Sequence, residues 1–594
     1  MTRAFVQLLR PRLAVAIIVA AALALTVDTY RSISHTWDEP AHIANGLMML
    51  DSGRYIEYQH PPLARVATAI GPYLGGSRSE GPKVLPIEFV DRILDSFDEG
   101  RRILYQTGGS YDRVLTLSRL GILPFLVLVL LATYTWARRI LGEWPAVLAV
   151  FYLASTPIIL GNAGISTLDL PLTALAIPSL LVYCTWLERP TLRNGLTLGA
   201  ITGAAIMSKF SAIPFLGLCF VTIAIWYAWQ GLTPDSRGAR AKPTTTGALR
   251  QRVQMFASRR HLVSAAAAFA AVLFVFWLSY GWGFVSLADP SNRPYTRVDQ
   301  LFKTGTTANR LVSDALELKV IPKFVYGIKE GIKDLGHHNA TGHLSYLLGE
   351  RGEQGWWYYY LVGLAVRTPL PLLVVGLIGL ALLTRKSLHE VSWLPGVPTV
   401  AFLTLLAFVC AYSKINLGIR HILVLYPLLS IGAAHVTTSL LSTRRLKVFA
   451  AAMVVLLLGS QVASVAVTHP DHVSYFNAVV GSTPERFLIT ADLDWGQDMK
   501  RLEAELKKRR IEKVAVSFYG SNDLSRHALP GYSPLQPNTP QNGWIAISIW
   551  RLYRNEDFSW LRAYKPVTRV GTSVNLYYIG GPAPSQNQFP RTGG

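Results

Sequence analysis

Cysteine is scarce: the 594-residue chain has three, Cys184, Cys219 and Cys410, each inside an apolar run. That spacing offers neither a disulfide framework nor a CxxC or zinc-ligand set, and cysteines so placed act as small hydrophobes. Charge is scarce as well. Asp, Glu, Lys and Arg make up 16% of the chain, where a soluble protein carries about 25%. Acids are the scarcer sign, 36 against 57 Lys and Arg, for a net charge of +21. Internal repeats are lacking. What is abundant is apolar text: 51% hydrophobic residues and a mean hydropathy of +0.29. Disorder is thereby excluded. The composition is that of a polytopic membrane protein.

The basic excess does not point to nucleic acid, because it gathers where apolar runs end. Segment 231–262 holds Arg237, Arg240, Lys242, Arg250, Arg252, Arg259 and Arg260 against the single acid Asp235, and Arg138-Arg139, Arg385-Lys386 and Arg444-Arg445 with Lys447 close other runs. Cytoplasmic loops are enriched in this way. A hydrocarbon core about 30 Å thick needs about 20 apolar residues per helix. Eleven stretches approach that length: 13–27, 120–137, 145–160, 168–187, 196–207, 211–229, 263–284, 358–383, 397–412, 419–438 and 448–467. With the N-terminus inside, every basic cluster falls in the cytosol. Stretch 196–207 is too short to cross alone, and its Gly195, Gly199 and Gly203 suit close helix packing or a broken pair with the next span. The first stretch reads as an uncleaved anchor in preference to a signal peptide.

The expected fold is mainly α: a transmembrane helical bundle of about eleven spans with large extracytoplasmic loops and a small C-terminal α/β domain. The transmembrane domain covers 1–467, with outer loops 28–119 and 285–357; loops of that length are usually functional. The extracytoplasmic domain covers 468–594, with a helix-like segment at 499–510, β-like runs at 514–518, 544–550 and 574–579, and a polar last fifteen or so residues.

Ionisable residues at the outer ends of spans carry the functional reading. His35-Thr36-Trp37-Asp38-Glu39-Pro40 follows the first span. Its acids suit an N-terminal cap for the next helix, with Pro40 in the first turn, or a general base at the membrane face. Asp169 opens the fourth apolar stretch, where a carboxylate is costly and a functional candidate by default; a solvated helix start is the plainer alternative. Lys209, in Ser208-Lys209-Phe210, maps to the same outer side and has the reach to snorkel. Arg119, Arg367, Lys414 and Arg420-His421 oppose the positive-inside tendency, and a lipid phosphate would give such cations a purpose. Converging carboxylates and cations suit transfer from a phosphate carrier. The leaving phosphate spreads its charge over oxygens that cations neutralise, one carboxylate takes the acceptor proton, and the transferred centre inverts. His337, His338 and His343 flank a Tyr-rich stretch and suit the lining of a cleft, while their spacing makes no metal site. Residues 355–360 read as an interfacial aromatic belt, Asn339-Ala340-Thr341 has the form of a glycosylation acceptor, and Asp494, Gln497 and Asp498 as caps of the helix that follows.

These residues resemble the lipid-carrier-dependent glycosyltransferases of the GT-C superfamily, in the branch of protein O-mannosyltransferases and the lipid A aminoarabinose transferase. The likeness rests on Trp37-Asp38-Glu39, Tyr58-Gln59-His60-Pro61-Pro62-Leu63, Thr167-Leu168-Asp169-Leu170-Pro171, Met207-Ser208-Lys209-Phe210, Tyr346-Leu347-Leu348-Gly349-Glu350, Gly355-Trp356-Trp357-Tyr358-Tyr359, Arg367-Thr368-Pro369, Gly418-Ile419-Arg420-His421, Tyr475-Phe476-Asn477 and Asp494-Trp495-Gly496-Gln497-Asp498. The resemblance implies Asp38 as catalytic base, with Glu39 and Asp169 as further acidic site residues. It implies Lys209, Arg420 and Arg367 as ligands of the carrier phosphate. His60, His343 and Tyr346 are the candidate substrate-binding residues, with a structural turn before a helix as the other reading of His60-Pro61-Pro62. Trp37 and Pro40 stand where the aminoarabinose enzyme has arginine-containing text, which argues against that individual activity. The implied function is transfer of a sugar from a polyprenyl-phosphate carrier to an acceptor protein, lipid or glycan at the outer face of a bacterial inner membrane. No cofactor, metal or nucleic acid is called for. A transporter or lipid flippase is the rival reading, disfavoured by ionisable residues gathered at one face and by the lack of a matching second half.

Overall fold

Proline and glycine decide where the apolar stretches stop being helical. The computed structural model describes residues 11–81, 89–230, 258–286, 301–302, 305–442 and 447–581. All eleven stretches contain helix there. Eight helices are long and apolar enough to cross a membrane, or nine if the pair Glu143–Ala154 and Pro157–Ala163, bent by 67°, makes one span. This is an integral membrane protein, mainly helical, with a small sheet near its C-terminus. Among the described residues the expected eleven spans come down to eight or nine, because Leu192–Ser208 and Leu425–Leu441, 17 residues each, fall short and the bent pair adds at most one. A residue before proline is pushed to an extended backbone. Thr156 (φ −98°, ψ 112°) therefore bends one stretch before Pro157, and Thr368 (φ −98°, ψ 135°) divides 358–383 into Tyr359–Arg367 and Leu370–His389. Gly418, at φ +93°, opens a 3-10 turn at Ile419–Ile422, so 419–438 runs as a helix only from Leu425–Leu441. Basic segment 231–262 up to residue 257, Arg444-Arg445 and the polar tail from 582 lie outside the described residues.

Contacts divide the chain into two units. The first comprises Met1–Glu39, Ile122–Leu170 and Asn339–Gly594; the second comprises Pro40–Gly121 and Pro171–His338. Within the first, Leu370–His389 packs on Leu425–Leu441 so closely that a Cβ on Gly379 would lie 1.9 Å from the Gly432 carbonyl oxygen. Small residues permit such backbone contact between membrane helices. The same unit holds a short hairpin, β3 (Ser345–Leu347) with β4 (Glu350–Gly352), and a five-stranded sheet. Its strands are β5 (Lys513–Ser517), β6 (Gly531–Pro534), β7 (Gly543–Ser548), β8 (Thr568–Val570) and β9 (Val574–Ile579), in the order β6-β5-β7-β9-β8. β5 runs parallel to β6 and β7, while β9 pairs antiparallel with β7 and β8. Side chains alternate across β7. Ala546 joins Met499, Leu502 and Leu506 of helix Met499–Lys508 on one face; Ile545 and Ile547 join Leu552, Trp560 and Leu561 on the other.

Segment 28–119, expected as an outer loop, is largely helical and belongs to the second unit from Pro40 on: Pro62–Leu74, Phe89–Gln106 and Tyr111–Leu120 follow Glu39–Ser52. A two-stranded ladder joins β1 (Phe284–Ser286) to β2 (Lys319–Pro322). Helix Leu192–Ser208 lies against Arg259–Ser279. Cβ atoms on Gly195 and Gly199 would meet the Ser264 and Ala268 carbonyl oxygens at 2.2 and 2.0 Å. Close packing is thus what the glycine spacing serves.

Candidate active site

Three parts of the first unit each contribute one charged side chain to a common cluster. Asp38 immediately precedes helix Glu39–Ser52, Asp169 opens helix Asp169–Glu188, and Arg420 stands in the 3-10 turn Ile419–Ile422. Arg420 Nη1 donates to Asp38 Oδ2 at 2.7 Å and lies 3.9 Å from Asp169 Oδ2. Its guanidinium carbon sits 4.2 Å from the ring centroid of Trp495, within cation–π range. The side chain of Asp38 is 26% exposed, against 12% for Arg420 and 3% for Asp169, so Asp38 is the member most open to a reactant. Burial works to lower the Arg420 pKa, but Asp38 and Asp169 outweigh it and hold the guanidinium above its ordinary value.

The loop bearing Asp38 is held by main-chain pairing. Ser34 N–H donates to the Gln497 carbonyl and Trp37 N–H to the Trp495 carbonyl, both at 2.9 Å. The Trp37 ring stacks on Tyr519 (4.9 Å between centroids, 15° between planes), and Ser521 Oγ donates to the Trp37 carbonyl. Glu39 is wholly buried and turned inward. Its Oε2 accepts from the Thr36 N–H (2.7 Å) and hydroxyl (3.2 Å), and its Oε1 from the Ser166 N–H (2.8 Å). The return to Thr36 is one half of a capping box, and the bond to Ser166 ties the loop to the segment leading into Asp169.

Asp494 and Asp498 serve other ends than capping. Asp498 stands at the N-cap of Met499–Lys508 without a side-chain cap bond; its carboxylate accepts from Thr572 N–H, Ser573 N–H and the Ser573 hydroxyl, and pairs with Arg501. Asp494 Oδ2 accepts from Trp550 N–H at 2.8 Å and Oδ1 from Gly496 N–H. Burial pushes its carboxyl up to about 7.

The remaining candidates lie as follows. His343 Nδ1–H donates to the Leu344 carbonyl (2.9 Å). Burial lowers its pKa, while that hydrogen bond and then Asp38 pull upward and Arg420 opposes them, so the ring lies in the field of the charged cluster. Tyr346, in β3, is buried among Ile489, Leu493, Ile549 and Trp550 as a core residue. Arg367, 1% exposed, faces inward to Asp492 and three main-chain carbonyls. Lys209 and His60 belong to the second unit. Lys209, half-buried, is the extended C-cap of Leu192–Ser208; His60 accepts from the Tyr55 hydroxyl at its carbonyl and meets His42 edge-on at 5.6 Å. Among the described residues no three His, Cys, Asp or Glu side chains gather as metal ligands.

Residues 118–235 match the family model of dolichyl-phosphate-mannose-protein mannosyltransferases. The chain resembles the GT-C glycosyltransferases. Solved structures similar to it include the oligosaccharyltransferase of Archaeoglobus fulgidus tethered to an acceptor peptide (10% identity, 97% of this chain and 75% of that one, TM-score 0.46). ArnT of Cupriavidus metallidurans bound to undecaprenyl phosphate is 13% identical over 96% of this chain and 99% of its own, with a TM-score of 0.46. The Saccharomyces cerevisiae protein O-mannosyltransferase Pmt1-Pmt2 complex bound to its sugar donor is 13% identical over 78% and 90%, also at 0.46. No curated protein matches the chain in sequence. Trp495 is the site residue that sequence reasoning missed. In the sequence it stood out only as part of the Asp494-Trp495-Gly496-Gln497-Asp498 motif, because only the fold puts Arg420 over its face.

Proposed function

We propose that this chain is a membrane glycosyltransferase moving a sugar from a polyprenyl-phosphate carrier to an acceptor hydroxyl, at the extracytoplasmic face of a bacterial inner membrane. The observation that carries the reading is Arg420 held between Asp38 and Asp169, with Asp38 the more exposed carboxylate. In the reaction the acceptor hydroxyl oxygen bonds to the anomeric carbon while the bond from that carbon to the phosphate oxygen breaks. The hydroxyl proton passes to Asp38, and the electron pair leaves with the carrier phosphate. Arg420 neutralises the oxygens of that phosphate, which removes the need for a separate general acid. Attack opposite the leaving group inverts the sugar. Asp169, almost fully buried, keeps the guanidinium aimed. Glu39 acts by fixing the loop of Asp38, and His343 lines the acceptor side.

The test is Asp38→Asn, which keeps the shape and removes the basicity. With membranes given a panel of radiolabelled carrier-linked sugars, loss of a general base should lower transfer by about 10²–10⁴-fold. Undiminished transfer would overturn the assignment. Solute uptake by the purified protein in liposomes, with no sugar product, would favour a transporter instead.

A further inference from the structure

Arg420 owes its place to a turn that is anchored from beneath by one buried carboxylate. Asp492 is 1% exposed. Its Oδ1 accepts from the Ile419 N–H at 3.0 Å, and its Oδ2 accepts from the Tyr359 hydroxyl at 3.1 Å. That hydroxyl in turn accepts from the Gly418 N–H at 3.0 Å. Two consecutive N–H groups leading into Arg420 therefore end on Asp492, one directly and one through a phenol. Gly418 has a left-handed backbone (φ +93°), and a Cβ there would stand 3.4 Å from Asp492 Oδ1, so the turn closes down onto the carboxylate.

Asp492 is itself fixed by Arg367. Nε of that arginine lies 3.3 Å from Asp492 Oδ1, and Nη1 donates to the Asp492 carbonyl at 2.7 Å and to that of Tyr475. Nη2 donates to the Val473 carbonyl at 2.6 Å, and the guanidinium lies over Phe476 at 4.6 Å. An arginine so buried and engaged holds a rigid acceptor under the turn. Asp492 also stands three residues before Trp495, the ring beneath Arg420. One short stretch thus sets both the turn that carries the cation and the plate it rests on.

We propose that Asp492, locked by Arg367, is a positioning residue that presents Arg420 to the phosphate of the lipid carrier. This rests on the reading of Arg420 as a phosphate ligand given above, and the experiment separates the two. The full-length purified protein in detergent is titrated with undecaprenyl phosphate, and thermal midpoints are recorded alongside. Arg420→Gln tests the earlier reading: wild-type affinity in that variant would overturn both it and this inference. Asp492→Asn should weaken binding about tenfold, which is 1.4 kcal/mol. Placed on top of Arg420→Gln it should add less than about twofold, since residues acting through one group are not additive. As a control for general damage, Arg92→Gln breaks a different buried pair, Arg92–Asp334 at 2.9 Å in the second unit; it should lower the thermal midpoint and leave the affinity unchanged. Tyr359→Phe, which removes only the hydroxyl relay to Gly418, should weaken binding in the same direction and serves if Asp492→Asn does not fold. Binding by Asp492→Asn (or by Tyr359→Phe, where that variant has to serve) equal to wild type, or an equal loss with and without Arg420, would overturn the positioning role.

Discussion

Glu39 directs both carboxylate oxygens to main-chain donors, one set at Thr36 and the other at Ser166. Glu39→Gln would point an amide N–H₂ at one of those N–H groups, leaving a buried donor unmet at about 1–3 kcal/mol. A lower thermal midpoint is expected, with weaker transfer, because the neighbouring Asp38 loses its fixed loop; a variant as stable as wild type would show that Glu39 does not hold the loop. Arg420→Lys keeps the charge but not the planar fork that matches phosphate. Its donor KM should rise by about tenfold or more with a smaller change in kcat, measured on the carrier-linked sugar. Arg420 and Arg367 looked alike in the sequence, each a cation at the edge of apolar text. The type of a residue and its place at the end of an apolar run were legible; what it faces was not, because burial of Arg367 depends on carbonyls of Val473, Tyr475 and Asp492 more than a hundred positions away.

Helices were the easiest elements to read, since membrane-length apolar runs are long signals, and helix Val397–Tyr412 has the bounds expected for stretch 397–412. The breaks at Pro157 and Pro369 were there to be read from the rule for the residue before proline, but continuous hydropathy masked them. Strands β5, β7 and β9 matched apolar runs, whereas edge strand β6 is exposed throughout and β8 has three residues, so neither leaves a pattern. Segment 544–550 read as one run, but it leaves the sheet at Ser548, where helix Ile549–Arg554 begins and the Trp550 N–H turns to Asp494. Gly199→Val places a Cβ within 2.0 Å of the Ala268 carbonyl oxygen, and the helix pair must part. Overpacking of this kind costs about 1–3 kcal/mol. The thermal midpoint should fall, while Gly217→Val, where a Cβ would meet nothing within 4 Å, should leave it unchanged.

Stability of the whole molecule carries the mark of Asp494. Its carboxyl titrates near 7 in the folded protein because burial opposes the charge, whereas an unfolded aspartate titrates near 4. Between those values the folded state binds the extra proton, so this group's contribution is full below about 4 and is lost as pH rises through about 7. Asp494→Asn removes that dependence. The midpoint of the variant minus that of wild type should therefore climb from pH 4 to pH 7 and level off above it; a difference that stays flat would mean the carboxyl is ionised throughout.

The loop of Asp38 is stitched to the far end of the chain: besides the pairs at Ser34 and Trp37, Lys500 N–H donates to Ser34 Oγ across 466 positions. During synthesis at about 5–20 residues per second, the partners of that loop reach the membrane roughly 20–90 seconds after it does. Throughout that interval the ribosome has delivered the acid without its cation or the tryptophan plate. A nonsense codon just past Thr468 should consequently yield a protein that resists carbonate extraction and transfers nothing, and supplying 469–594 as a separate secreted fragment is the direct way to ask whether the two ends must be born joined.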